Sequence, residues 1–399
     1  MNSLYARTYQ AAYRGISKFL PWRTPLLVAG EGSVIESVNE LKHRQVTRFL
    51  LVTDQAMTDL GLYQPFVERA AEVHIEAVPY DQTVPNPTIT NIEQAYALYK
   101  EQNCQAIVAF GGGSVIDCAK GVAARVAQPN KLIPDMKGQL KVRKATPFLM
   151  AIPTTAGTGS EGTVAAVISN PESKEKYAVN DTVLIPDVAV LDPELTVGLP
   201  AALTATTGMD ALTHAVEAFI GHSNTPETEA YSKEAVELIF KWLPVAYQDG
   251  TNIEARRAMQ KASYLAGLAF TRAYVGNVHA VAHTLGGYYN VPHGLANAVL
   301  LPVLLRFYGE AVTPRLAKLA EYAGVSEAGK SALENAETFI RKIEEMNNEM
   351  NIPTKIEGIE EKDIKEMAKK ANKEANPLYP VPVIMSKKDF ESIYHKVRS

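Results

Sequence analysis

Three of the chain's eight histidines fall in one short stretch, from Gly276 to Gly294, read as GNVHAVAHTLGGYYNVPHG. His279 and His283 stand at i and i+4, so on a helix both project from one face, one turn apart. Gly286-Gly287 and then Pro292 are expected to stop that helix and start another, which would bring His293 in from a separate element. Imidazoles converging in this way make a metal site. The alternative is a chance cluster on a buried face. Earlier in the chain, GMDALTHAVEAF offers Asp210 and His214, again at i and i+4. Taken alone, that pair would pass for an ordinary contact on a helix face. Beside the histidine stretch it supplies an oxygen donor and a further imidazole. One carboxylate and three imidazoles suit a first-row divalent ion such as Fe(II), Zn(II), Co(II) or Ni(II).

A second chemistry is written around Gln105 to Ser114. QAIVAF has the character of a strand, and Gly111-Gly112-Gly113-Ser114 follows at once, opening a helix. Glycines there let the backbone approach a ligand closely, and the helix start offers unpaired amides to a phosphate. The spacing is not G-x-G-x-x-G, because Ile116 occupies the third glycine's place; a plain turn is the competing reading. Asp54, at the end of RFLLVTD, could accept hydrogen bonds from ribose hydroxyls and repel a 2′-phosphate, or could simply cap a helix. The segment from Pro153 to Glu161, PTTAGTGSE, follows another strand pattern. Its hydroxyls and glycines could wrap a phosphate or a nicotinamide ribose, or could serve as a linker.

The elements that must position these groups come in two kinds. From Pro25 to about Pro200, short β-rich runs alternate with helical stretches. The strand candidates are 25–30, 48–54, 72–80, 105–110, 147–153, 164–170 and 188–193. Helical patterns over Ile92 to Gln102 and Val115 to Val126 lie between them. Alternation of this kind implies a mostly parallel, Rossmann-like sheet that binds ligands beyond the carboxyl ends of its strands. After Leu199-Pro200 helical patterns follow one another: Met209 to Ile220, Thr225 to Trp242, Ile253 to Phe270, Leu295 to Phe307 and Thr313 to Ala323. The expected organisation is therefore an α/β domain over residues 1–199 and an all-α domain over residues 200–399, with the active site in the cleft between them. Residues 325–375, rich in Lys, Glu and Asn, read as solvated helix faces. Ser386-Lys387-Lys388-Asp389 reads as a capping box opening a last helix through His395.

Composition narrows the partners. The 399 residues carry 40 basic and 44 acidic side chains, a net charge of −4, so no basic surplus invites nucleic acid or an anionic membrane. No apolar run reaches membrane-spanning length. The two cysteines, Cys104 and Cys118, lie in apolar contexts and suit a reducing cytoplasm better than a disulfide framework. The first residues, MNSLYARTYQAAYRGISKFLPW, lack the apolar centre of a secretory signal. Arg7, Arg14 and Lys18, without an acid, faintly suggest a transit peptide; docking of the tyrosines on the body is the preferred reading.

Four motifs, GGGSVIDCAK, IPTTAGTGSE, TGMDALTHAVEAF and HAVAHTLGGYYNVPHGLANAVLLP, stand in an order and at separations that resemble the iron-containing (group III) alcohol dehydrogenases. The resemblance runs from Pro25 to about Gly324 and is looser outside those limits. It implies that Asp210, His214, His279 and His293 bind the metal, with Fe(II) foremost. His283 matches an extra histidine beside the metal that relays a proton. Gly111, Gly112, Gly113, Ser114 and Asp117 match the pyrophosphate loop of NAD, and Asp54, Asn86, Thr154, Thr155, Thr158 and Lys176 match other contacts to the dinucleotide. Phe270 falls where the family lines its substrate pocket. Thr284 departs from the proline found in many members.

The resemblance implies reversible hydride transfer between a small primary alcohol and its aldehyde, with NAD preferred over NADP, in a homodimer or higher homo-oligomer. The rival enzymes on this fold are a glycerol-type polyol dehydrogenase and a dehydroquinate-synthase-like lyase. Those types coordinate the metal with three protein ligands, whereas four positions are filled here. The lyase would also need a basic cluster for a phosphorylated substrate, and the metal motifs offer mainly Arg272. A structural protein that had lost the site would show a missing ligand position, and none is missing; a metal-storage module would not need the glycine loop and Asp54.

Overall fold

Nine strands form among the residues described in this computed structural model, which are 3–17, 19–172 and 175–399. They are β1 (Leu26–Ala29), β2 (Arg48–Val52), β3 (Glu76–Tyr80), β4 (Ala106–Gly111), β5 (Gly138–Gln139), β6 (Phe148–Pro153), β7 (Ala165–Asn170), β8 (Glu175–Asn180) and β9 (Val188–Leu191). Six of them form one sheet in the order β1-β9-β6-β4-β2-β3, with every pairing parallel. Alternate side chains of the same strands feed two separate cores. Leu50, Val52, Ile107 and Ala109 pack on one face, and Phe49, Leu51, Val108 and Phe110 on the other. That two-sided burial is why these strands read as unbroken apolar runs.

Two expectations about strands change. The run 164–170 does form β7, but in a separate three-stranded sheet ordered β5-β8-β7, where β7 and β8 are antiparallel. β8, EKYAVN, buries only Tyr177 and Val179, so its pattern is too polar to resemble the buried strands. The run 72–80 yields a strand only from Glu76. Glu72 still belongs to the helix Gln64–Glu72, and His74 takes a left-handed φ of 62° that breaks the extended backbone.

Beyond Leu199 the described residues form helices and no strand. The chain divides into two units, one of residues 21–155 and 159–198, the other of residues 1–20, 156–158 and 199–399. The first twenty residues thus group with the helical unit. Helix Ser3–Ser17 docks there through Arg7, which donates to the Val381 and Pro382 carbonyls, and Gln10, which donates to the Tyr379 carbonyl. Tyr13 meets Tyr274 edge to face at 5.8 Å. Lys18, counted above with the basic residues, lies outside the described ones. In the lysine- and glutamate-rich region, helices Ala332–Glu349 and Glu361–Ala375 bury one apolar face each, and Ser386 caps Lys387–Val397 through the expected box.

The histidine stretch also differs from expectation. Its helix, Asn277–Tyr289, runs straight through Gly286 and Gly287. It ends at Asn290, which adopts the left-handed conformation. Two glycines lower helix propensity by only about 1 kcal/mol each, and burial of Ala282, Leu285 and their neighbours outweighs that. Pro292 then caps helix His293–Tyr308, so His293 does open a new element. No helix among the described residues is long and apolar enough to cross a membrane.

Candidate functional site

In the helical unit, three elements deliver donors to one point. Helix Ala201–Ile220 carries Asp210 and His214, helix Asn277–Tyr289 carries His279 and His283, and His293 is the first residue of its helix. Gly294 allows the last of these to approach: a Cβ there would stand 2.4 Å from the Thr206 carbonyl oxygen. One ligand atom from each of Asp210, His279 and His293 lies within 4.8 Å of the others. Asp210 Oδ1 is 3.6 Å from His293 Nε2 and 4.0 Å from His279 Nε2. Asp210 and His279 are each only 2 % exposed, so this carboxylate and imidazole are held out of water.

His214 does not join this trio. Its ring stacks on Phe270 (centroids 4.2 Å apart) and on His279 (4.5 Å), and its Nδ1 is buried without a hydrogen-bond partner. Burial, followed by the neighbouring His279, holds its pKa well below the ordinary histidine value, so the ring is neutral. Phe270, the substrate-pocket residue of the sequence reading, lies directly against it. His283 packs parallel to His293 at 5.3 Å and is not one of the three converging donors.

Three residues that sequence reasoning did not single out complete the cluster. Glu217 accepts from His279 Nδ1 at 2.6 Å, and Glu374 pairs with His283 Nδ1 at 2.6 Å. The Asn297 amide nitrogen reaches Asp210 Oδ1 at 2.6 Å and lies 3.2 Å from Nε2 of both His279 and His293. Two amide hydrogens serve three acceptors there, and Asn297 Oδ1 is left buried without a partner. Converging lone pairs, a neutral buried imidazole and orphaned polar atoms are what a divalent ion would satisfy, and the donors are of the type such ions take. Glu217 was legible in principle, because it follows Asp210 at i+7 on the same helical face.

In the α/β unit, β4 ends at Gly111, and Gly112 is the N-cap of helix Gly113–Ala127. No side chain caps that helix, so its leading amides can face an anion. Asp54 stands just past β2, the strand next to β4, and its Oδ1 caps helix Gln55–Leu60 by accepting the Met57 amide. The expected contacts Asn86, Ser114 and Lys176 are already joined: the Asn86 amide donates to Ser114 Oγ at 3.2 Å, and Lys176 Nζ donates to Asn86 Oδ1 at 2.7 Å. Thr155 lies beside the glycine loop, 3.4 Å from where a Gly112 Cβ would be. Thr154 is buried, and its amide donates to the Gly111 carbonyl. Thr158 belongs to the other unit and is half-buried.

Asp117 turns inward, accepting Ser160 Oγ and the Val167 amide. Next to it the fully buried Lys120 ammonium donates to the carbonyls of Ser160, Thr163 and Ala165 and to the hydroxyls of Ser160 and Thr163. That oxygen cage pins the TGSE segment. Burial still lowers the Lys120 pKa to about 8 and raises that of buried Glu161 to about 7.

The iron-containing alcohol dehydrogenase model matches residues 25–193, and the C-terminal model of the Fe-containing alcohol dehydrogenase family matches residues 204–398. The chain belongs to the iron-containing alcohol dehydrogenase family. It is 39 % identical to the NAD-dependent methanol dehydrogenase of Bacillus methanolicus, covering 88 % of this chain and 92 % of the relative. Alcohol dehydrogenase 4 of Saccharomyces cerevisiae is 38 % identical, over 93 % of this chain and 96 % of the yeast protein. The solved alcohol dehydrogenase from Oenococcus oeni superposes with a TM-score of 0.91 at 33 % identity, covering 95 % of this chain and all of that one. In this iron-containing dehydrogenase, as in the sequence reading, the parallel sheet precedes a helical region.

Proposed function

We propose that this chain transfers hydride reversibly between NAD and a small primary alcohol or its aldehyde, with a divalent ion, Fe(II) foremost, held by Asp210, His214, His279 and His293. The observation that carries this reading is the convergence of Asp210, His279 and His293 within 4.8 Å in a member of this family. His214, whose ring stacks on His279 and whose buried Nδ1 has no hydrogen-bond partner, is the fourth donor of the proposed set. The ion supplies Lewis acidity to a hydroxyl or carbonyl oxygen, and the dinucleotide carries the hydride.

The chain's own groups do the rest. His283 donates Nδ1–H to Glu374, which leaves the Nε2 lone pair to take the alcohol proton and pass it toward solvent. Phe270 gives the substrate an apolar wall. Asp54, with one oxygen committed to Met57, keeps acceptor capacity for ribose hydroxyls and a charge that disfavours a 2′-phosphate. Arg272 pairs with Glu227, so the main cation of these motifs is already neutralised, which favours a weakly charged substrate over the lyase's.

We further propose a cytoplasmic homodimer or higher homo-oligomer. Support comes from two buried free cysteines and from edge strand β1, whose Leu26 and Leu27 are exposed. The test of function is NADH formation on a panel of short alcohols, with aldehyde reduction as the reverse assay. Silence on every one of them with Fe(II) present would sink the proposal.

A further inference from the structure

We infer that Glu217 aims His279 at the metal, as a positioning carboxylate outside the ligand set, and that Gly276 is the residue that admits it. The inference rests on the proposed metal site and adds a part to it. Glu217 lies seven positions after Asp210 on helix Ala201–Ile220, two turns along the same face. Its side chain is 2 % exposed, and a carboxylate so placed is costly unless donors saturate it. Three do. The Gly276 amide donates at 2.7 Å, the Val278 amide at 2.8 Å and His279 Nδ1 at 2.6 Å.

Two of those donors form the start of helix Asn277–Tyr289, where Gly276 is the N-cap and brings no capping side chain. Glu217 therefore caps that helix from a neighbouring one, where its charge also meets the positive end of the helix dipole. The third donor fixes the histidine. With Nδ1 donating, Nε2 is the nitrogen that carries the lone pair, and Nε2 is the atom 4.0 Å from Asp210 Oδ1. One carboxylate thus sets the tautomer of His279, the direction of its ring and the seat of the helix that bears it. Gly276 makes room: a Cβ there would stand 2.5 Å from Glu217 Oε1, so any side chain would drive the acid away.

The test is Co(II) binding to the full-length protein after metal removal, read by chelator competition, with the melting temperature of the stripped protein measured alongside. Glu217→Gln keeps the size of the side chain but puts an amide donor where two acceptor oxygens are needed. It should weaken Co(II) binding about 10- to 100-fold in protein that is still folded. Gly276→Ala keeps the acid but displaces it and should weaken binding in the same direction. If both variants bind Co(II) within about threefold of the parent while only their melting temperatures fall, Glu217 is a structural cap and the inference is overturned. Should Glu217→Gln fail to fold, Gly276→Ala decides by the same criterion. His279→Ala is the reference, because undiminished Co(II) binding in that variant would defeat the metal site itself, whatever Glu217 does.

Discussion

His283 Nδ1 lies 2.6 Å from Glu374 Oε1, and the same oxygen accepts the Tyr379 hydroxyl at 2.8 Å. The Tyr379 carbonyl in turn accepts from Gln10 of the N-terminal helix at 2.7 Å. A histidine held from behind in this way has a fixed ring and a fixed tautomer, as a proton carrier requires. His283→Ala is expected to keep its bound metal and lose about 10²-fold in turnover, the lower end for a positioned acid–base group. Metal content and the pH profile of turnover check this; an unchanged profile removes His283 from proton transfer.

Asp54 is the residue proposed above to set the choice of dinucleotide. Asp54→Gly should raise kcat/KM with NADP relative to NAD by about 10-fold or more, because a repulsion of roughly 1.4 kcal/mol corresponds to that ratio. The variant also loses the cap on helix Gln55–Leu60, at a cost of a few tenths of a kcal/mol for glycine. An unaltered preference would show that Asp54 is only the cap.

Glu161 makes stability depend on pH. Its folded-state pKa of about 7 lies above the ordinary 4.5 because burial disfavours the charged form. The folded state therefore binds this proton more tightly than the unfolded chain does. The associated stability is fully present below about pH 4.5 and is lost as pH rises through 7. Glu161→Gln should stabilise the protein at pH 8 by on the order of 1–3 kcal/mol and leave it nearly unchanged at pH 4.5. Urea midpoints at the two pH values decide the matter, and equal shifts at both would contradict it.

Thr284, the departure from the family's proline, is tied to the C-terminal helix. Its hydroxyl meets the hydroxyl of the buried Tyr394 and donates to the Val281 carbonyl. Thr284→Val should cost about 1–3 kcal/mol, because the Tyr394 hydroxyl is left buried without that partner. A thermal or urea melt reads the loss.

The convergence of Asp210, His279 and His293 was legible because helical periodicity and a following proline dictate which side chains can meet; the place of His214 outside that trio, stacked on Phe270, was not. The parallel sheet was legible from its apolar runs, and the start of β3 was not, because a histidine in the left-handed conformation leaves no mark in a hydrophobic pattern. Glu374 was hidden for another reason. It sits in a lysine- and glutamate-rich helix most of whose other charges are exposed, 91 positions after the histidine it holds, and only the tertiary fold turns it inward. Asn297 was hidden because an amide four residues after His293 is unremarkable until Asp210 and His279 arrive from elsewhere.

The most direct test of the whole account is to titrate Fe(II) into metal-stripped protein and follow NADH formation from a short primary alcohol. Activity should rise in proportion to bound iron and saturate at one ion per chain, and His279→Ala should give neither binding nor activity. Full activity in the stripped protein, or in His279→Ala, would contradict the account.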